Sequence, residues 1–166
     1  MAKPTTYATP ICLVLTLLAI IGIVLGLWKH SPLITTLLLL PTVGYEAYRT
    51  QEGASTKWTS WFLLFVLIAE VIFIIFHLNY DLAKFFGKEE QYLAGYWMPL
   101  GDIKVVTPAL MAILSIILFF RTYGPYTKWL SVIIFITSFA LVYILSPQLF
   151  QNFLRFGIDQ GLYHLY

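Results

Sequence analysis

The sequence has very few charged residues. Of its 166 residues, 11% are charged and 60% are hydrophobic, whereas a soluble domain usually carries about 25% charged residues. Because so few charges cannot solvate the surface of a globular protein, most of that surface must face lipid. A membrane-spanning helix needs roughly 20 apolar residues. The chain therefore has room for four or five spans, and we interpret residues 1–166 as a single transmembrane domain.

Cysteine, histidine and clustered basic residues are also scarce. The single cysteine, Cys12, excludes an internal disulfide, a CxxC redox pair and a thiolate metal site. His30 and His164 fall at a turn and near the chain end, so they do not provide a pair of haem ligands on facing spans. The net charge of +2 comes without a basic cluster, which argues against nucleic-acid binding. We therefore expect no cofactor, no metal and no nucleic-acid partner.

Long apolar runs separated by turn signals predict an all-α, polytopic integral membrane bundle. The N-terminal run is too long for the core of a signal peptide and no A-x-A site follows it, so we interpret it as an uncleaved first span. Ser31-Pro32 is a helix-start signal and begins the second span at once. About five transmembrane helices are predicted, at residues 10–28, 31–48, 58–86, 103–120 and 126–145, followed by a short C-terminal interfacial helix in the tail 147–166.

The distribution of basic residues does not orient this topology. With five spans, each side of the membrane carries five basic residues: Lys3, Arg49, Lys57, Arg121 and Lys128 on one side, and Lys29, Lys84, Lys88, Lys104 and Arg155 on the other. The positive-inside rule is therefore balanced. The loop between the third and fourth spans is long and aromatic, with Tyr96 and Trp97 near its centre, and we expect it to lie on the membrane interface or over the bundle. Because such a loop is more typical of the outer side, we expect a multi-pass protein with a cytoplasmic N-terminus.

The third span contains a glutamate, Glu70, within an apolar run. Glu70, His77, Asp81 and Lys84 are separated by seven, four and three residues, so on a continuous helix they project from one face. Two interpretations stay open. The face is a path for a proton or ion or a site for a cationic head group, or Glu70 is structural glue across the bundle and the others are ordinary interfacial groups. One histidine with one carboxylate is not a metal-ligand set.

The first two spans carry signals in small residues and proline. Pro41 and Gly44 interrupt the second span. Such interruptions border binding sites in some transporters, and in many other helices they are simple kinks. The first span carries Ala19, Gly22 and Gly26 along one side, and small residues let helices approach closely. We expect this side to pack within the chain rather than against another chain.

The sequence lacks a recognisable catalytic motif, since it has no nucleophile elbow, no P-loop, no HExxH and no paired acidic motif for Mg²⁺. An enzyme acting on lipid through His77 and Asp81 is therefore the least favoured of three hypotheses. A structural or accessory subunit is favoured, with the lipid bilayer and other membrane chains or a second copy as partners. The alternative is a small transporter or ligand-binding protein. In this alternative, a proton- or cation-responsive track is formed by Glu70, His77, Asp81 and Lys84. Tyr96 and Trp97 lie over its end.

Overall fold

A computed structural model describes residues 7–50, 53–77, 103–148 and 150–151, together with the backbone of residues 91–93 and 96–98. The described residues form five helices, α1 (Ala8–Lys29), α2 (Pro32–Arg49), α3 (Ala54–Ile75), α4 (Ile103–Arg121) and α5 (Pro125–Leu145). Two short antiparallel strands, β1 (Gln91–Leu93) and β2 (Tyr96–Met98), lie between α3 and α4 in the chain. The predicted all-α membrane bundle is confirmed, and the strands add a hairpin that was not predicted.

Local signals determine the turn between α1 and α2. After Lys29, His30 adopts a left-handed conformation with φ of 47°, and its backbone N–H donates to the carbonyl of Gly26. Ser31 occupies the N-cap position and Pro32 begins α2. Proline suits this position because the N–H that it lacks would have no partner in the first turn. The short turn makes α1 and α2 an antiparallel pair.

Four helices form a ring, and α1 packs on its outside. α2 packs against α3, α3 against α4, α4 against α5, and α5 closes the ring against α2. α1 lies against both α2 and α5. Apolar side chains fill the ring: Leu39, Val43, Leu63, Val66, Leu67, Met111, Leu114, Leu118, Ile134 and Leu141. α2 and α5 are thus the central pair, since each contacts three other helices.

The helices α1, α3, α4 and α5 are long and apolar enough to cross a membrane, so the protein is a multi-pass membrane protein. Among the described helices, α2 is outside this set because it carries Thr35, Thr36, Thr42 and Glu46, all of them buried. Side chains that face neighbouring helices need not be soluble in lipid. With 18 residues, α2 is about 27 Å long, which is close to the thickness of the hydrocarbon core.

The bundle places small residues inside and large apolar residues outside. On α1 the buried side holds Ala8, Cys12, Leu15, Ala19, Gly22 and Gly26, whereas the exposed side holds larger residues such as Val14, Leu17, Ile21 and Val24. This arrangement is typical of helices that associate in lipid, where close backbone packing replaces the hydrophobic effect. Exposed aromatic residues lie near the helix ends, at Trp28, Trp58 and Tyr123, as expected for membrane interfaces.

The third helix differs most from its predicted bounds. The apolar pattern predicted a helix over 58–86, but α3 covers Ala54–Ile75. After Ile75 the chain turns, and His77 has a left-handed φ of 49°, which a continuing helix does not permit. Residues 78–86 lie outside the described part of the chain. The other four helices agree with their predicted bounds within two residues at each end.

This early end of α3 changes the position of Glu70. Glu70 is five residues before Ile75, about 8 Å along the helix axis, and not at mid-span. The continuous helical face that was predicted to join Glu70 to His77 is not formed, because the helix ends between them. Asp81 and Lys84, which completed that face in the prediction, lie outside the described residues.

The predicted interfacial tail also lies largely outside the described residues. α5 ends at Leu145, and the described part of the tail extends to residue 151. The ring of Phe150 lies 5.4 Å from the ring of Tyr143 and 6.4 Å from that of Phe139, measured between centroids. The chain therefore folds back along α5 after Leu145.

Candidate functional site: two buried carboxylates

Glu46 of α2 and Glu70 of α3 are both fully buried, with 0% of each residue exposed. Both project from helices of the ring. For reference we name the two ends of the bundle after residues of the turns: the Arg49 end, where α2 stops and α3 starts, and the His30 end, where α1 stops and α2 starts. Glu46 is three residues from the Arg49 end and Glu70 is five residues from the His30 end. The two carboxylates therefore lie in opposite halves of the bundle, separated by about 15 Å along its axis.

The carboxylate of Glu46 lies where α2 meets α5. The hydroxyls of Ser131 and Thr50 are each 3.4 Å from Oε1 of Glu46. The Ser131 hydroxyl also lies 2.9 Å from the carbonyl of Thr127. A hydroxyl has a single proton, and the shorter contact to the carbonyl takes the larger share of it. The environment of Glu46 is therefore polar, but its hydroxyl contacts are long.

Arg49 follows Glu46 by one helical turn and links three helices. Its Nη1 donates to the hydroxyl of Tyr45 at 3.3 Å, and its guanidinium carbon lies 4.9 Å from the centre of the Tyr126 ring on α5. The Tyr126 hydroxyl is in turn 2.9 Å from the hydroxyl of Thr9 on α1. Cys12 and Leu15 of α1 are buried in a cluster against which Tyr45 and Tyr126 pack. Glu46, Arg49, Tyr126 and Ser131, which we call the Glu46 cluster, thus lie at the junction of α1, α2 and α5.

Glu70 lies on the buried side of α3, between residues that pack in the apolar core. Leu63, Leu67, Glu70 and Ile74 recur at spacings of three and four residues, and all four are buried. This face is directed at α2 and α4, the two helices that pack against α3. The sequence predicted correctly that Glu70 is in a membrane-spanning helix, and the burial places it on the protein side of that helix and not on the lipid side.

Hydroxyl groups are abundant in the interior and most of them are engaged locally. Buried threonine and serine hydroxyls donate to carbonyls of their own helices, three or four residues earlier: Thr36, Thr50, Ser60, Thr107, Ser115, Thr122, Thr127, Ser131, Thr137 and Ser138. Thr35 is different, because its hydroxyl donates at 3.0 Å to the carbonyl of Gly22 on α1. The interior is therefore polar, but most of its hydroxyl protons are used within single helices.

The other predicted binding residues are not gathered around Glu70 within the described structure. His77 is exposed and lies beyond the end of α3. Asp81 and Lys84 lie outside the described residues. Tyr96 and Trp97 are in β2, where the backbone is described and the side chains are not. Glu70 and His77 do not share a continuous helical face, whereas the parts of the track at Asp81 and Lys84 and the aromatic cap stay predictions.

The residues predicted for helix shape and packing are all described. α2 is a continuous helix through Pro41, which is exposed, and Gly44 is half-buried. Ala19, Gly22 and Gly26 are buried. A Cβ at Gly22 would lie 3.0 Å from that of Leu38, and a Cβ at Gly26 would collide with the hydroxyl of Thr35. This small-residue face therefore packs against α2 of the same chain.

Glu46 and Ser131 were not predicted as site residues. Glu46 is near the end of its helix and three residues before Arg49, a sequence position in which an interfacial ion pair is the ordinary interpretation. One signal was available: Thr35, Thr42, Glu46 and Thr50 recur at spacings of seven, four and four residues, which gives α2 a polar face. In a membrane helix such a face indicates contact with other helices. Ser131 carried no comparable signal, since its importance comes from packing against α2.

Within the described residues, no group of three or more His, Cys, Asp or Glu side chains is placed to hold a metal ion. Comparison with known proteins adds no constraint: no protein-family model, no curated protein and no solved structure matches the chain. A function therefore has to be inferred from the two buried carboxylates and the helices around them.

Proposed function

We propose that this protein is a small proton-conducting or proton-coupled membrane protein in which Glu46 and Glu70 take up and release protons. The observation that supports the proposal is the complete burial of both carboxylates, in opposite halves of one helical ring. A charged acid within a membrane helix is costly, up to about 2.5–3.5 kcal/mol at the helix centre on insertion scales and less towards the ends. Residues with this cost commonly belong to proton or ion pathways when a membrane protein keeps them.

The positions of the two acids suit a pathway with two halves. Glu46 is about 5 Å from the Arg49 end and Glu70 about 8 Å from the His30 end, so each is within reach of one membrane surface. Leu39, Val43 and Leu63 belong to the apolar core between these levels. In this proposal, a proton crosses that layer only when the helices shift.

Pro41 supplies a place at which α2 can deform. It lies between the levels of the two acids, and it cannot donate to the carbonyl of Leu37, four residues earlier. A helix that lacks one backbone hydrogen bond bends more easily at that point. Motion of α2 there would change the packing of Leu39 and Val43 without disturbing either helix end.

A structural or accessory subunit is the second candidate, and the local hydrogen bonds of the interior favour it. Hydroxyls that donate to their own helix, such as those of Ser115, Thr137 and Ser138, are not available as donors to a ligand or to a chain of water molecules. On this hypothesis Glu46 and Glu70 only join helices, and the partner is another membrane chain or a second copy.

Proton flux into liposomes separates the two candidates. The full chain is reconstituted with a pH-sensitive dye inside, and valinomycin imposes a potassium diffusion potential. We expect proton entry above that of protein-free liposomes. Glu46→Gln and Glu70→Gln should each abolish the excess, because an amide of the same shape cannot take up a proton. Thr137→Val is the control, since it removes another buried polar group of the ring and keeps both acids.

Equilibrium unfolding of the same variants completes the test. The proposal expects both glutamine variants to stay folded while flux is lost. The structural role would be supported by two results together. The wild-type flux would equal that of protein-free liposomes, and the glutamine variants would lose more than about 3 kcal/mol of stability. Losses of that size are typical when one partner of a buried ion pair is removed.

A further inference from the structure

A lipid-facing groove runs between α4 and α5. Its volume is about 160 Å³, and its walls include Phe119 and Phe120 of α4 and Val132 and Phe135 of α5. The floor carries two serines, Ser115 and Ser131, whose hydroxyl protons are directed to carbonyls of their own helices. A groove whose polar protons are already used, and whose walls are aromatic and aliphatic, suits a hydrocarbon segment rather than a polar ligand.

The groove begins near the Arg49 end and runs towards mid-membrane. Phe120 immediately precedes the last residue of α4, so it lies at the membrane interface. Phe135 is ten residues into α5, about 15 Å along the axis. The groove therefore lies within one leaflet, whose hydrocarbon is about 15 Å deep, and it has room for part of one acyl chain.

A lysine lies beside the interfacial end of this groove. Lys128, Val132 and Phe135 are four and three residues apart on α5 and share one face of it. The ammonium group of Lys128 is 5.7 Å from the centre of the Phe119 ring, on the opposite wall of the groove. The ammonium therefore lies beside an aromatic ring of the groove wall.

The described residues at the Arg49 end include more basic than acidic side chains. Arg49, Lys57, Arg121 and Lys128 lie at the Arg49 end, and the described acid on that half of the bundle is Glu46, which is buried. Cations at the head-group level attract anionic lipids, each by about 1 kcal/mol. Zwitterionic lipids gain little from such a surface.

We infer that the α4–α5 groove binds an anionic phospholipid, with one acyl chain against Phe119, Val132 and Phe135 and its phosphate at Lys128. The aromatic walls and the lysine are on adjoining surfaces and in the order that a phospholipid requires, with charge at the interface and hydrocarbon below it. Neither Glu46 nor Glu70 lines the groove. Ser131 on the groove floor also lies 3.4 Å from Oε1 of Glu46, but lipid binding at this site does not require either acid to take up a proton.

Native mass spectrometry of the full chain in detergent tests this inference, with phosphatidylglycerol and phosphatidylcholine of identical acyl chains as probes. We expect phosphatidylglycerol to bind more tightly. Lys128→Gln should weaken its binding about fivefold and leave phosphatidylcholine unchanged. Lys57→Gln, which removes an equal charge at the same end of the bundle but outside the groove, is the control and should retain the preference.

A second pair of variants tests the acyl-chain seat. Val132→Phe fills the groove and should weaken both lipids, whereas Ile136→Phe adds the same ring one turn away on the exposed side of α5 and should weaken neither. Equal binding of the two lipids to wild type would overturn the inference. So would equal losses from Lys128→Gln and Lys57→Gln, or unchanged binding to Val132→Phe. If Val132→Phe does not fold, the lysine pair decides alone.

Discussion

The contact between α1 and α2 allows a quantitative test at Gly26. A Cβ added at Gly26 would collide with the hydroxyl of Thr35 and lie 3.1 Å from Cδ1 of Ile144. The Ile144 methyl is the end of a flexible side chain and can move. The Thr35 hydroxyl is held by its hydrogen bond to the carbonyl of Gly22, so Gly26→Ala must either break that bond or separate the two helices.

The expected cost follows from these contacts. Overpacking of a close interface costs about 1–3 kcal/mol, and the lost interhelical hydrogen bond adds roughly 0.6–1.5 kcal/mol. The new alanine returns up to about 1 kcal/mol through its higher helix propensity. Gly44→Ala receives the same propensity gain, but its Cβ meets nothing within 4 Å. The difference between the two variants is therefore about 2–4 kcal/mol, with Gly26→Ala the less stable.

Equilibrium unfolding in mixed micelles of a mild detergent and dodecyl sulfate measures this difference. The double variant Gly26→Ala/Thr35→Ala should lose less stability than the sum of its single variants, because removal of the hydroxyl relieves the collision. Two results would show that α1 and α2 do not approach closely at Gly26. One is a double variant whose loss equals the sum of the single losses, and the other is equal stability of Gly26→Ala and Gly44→Ala.

Two further predictions use the same unfolding measurement. Arg49→Lys should lower the free energy of unfolding by about 1 kcal/mol, because the contact of the guanidinium with the Tyr126 ring is lost. Arg121→Lys, at an exposed contact with Ser55, is the control and should lower it by less than about 0.5 kcal/mol. Equal losses would argue against a role of the Tyr126 contact. Pro41→Ala should raise the free energy of unfolding by about 1–3 kcal/mol, since Pro41 is exposed and packs little. The same variant should slow proton flux if α2 bends at this position. A loss of stability would contradict this account.

The helices were predictable because their signals are local. Ser31-Pro32 and the run of apolar residues before it determine where α1 stops and α2 starts, whatever the rest of the chain does. The end of α3 was not predictable in this way. Apolar residues continue past Ile75, and neither glycine nor proline marks the turn at His77. A positive φ is uncommon for a residue other than glycine, and no residue of this stretch predicts one strongly enough to mark the end of the helix.

The candidate site was only partly predictable, for a related reason. An acid in a long apolar run is visible in one dimension, and Glu70 stood out accordingly. Glu46 is equally buried, but it lies among tyrosines and an arginine near a helix end, where charged residues are ordinary. Its burial depends on α5, more than 80 residues away in the sequence, which brings Ser131 against it. The spacing of the polar residues on α2 indicates that this face contacts other helices, but it does not indicate that Ser131 of α5 lies against Glu46.

α1 explains how so polar a helix as α2 is tolerated in a membrane bundle. Within the ring, α3 and α5 cover one side of α2. α1 covers another side and makes contacts at both ends of the bundle. At the His30 end, Gly26 admits the hydroxyl of Thr35; at the Arg49 end, the Thr9 hydroxyl meets Tyr126 beside Arg49. If α1 moved away, Thr35 and the Glu46 cluster would face lipid, where each polar group without a partner costs several kcal/mol. The close approach at Gly26 therefore protects more than one hydrogen bond, and substitutions there should weaken the enclosure of Glu46 at the far end of the same helix pair.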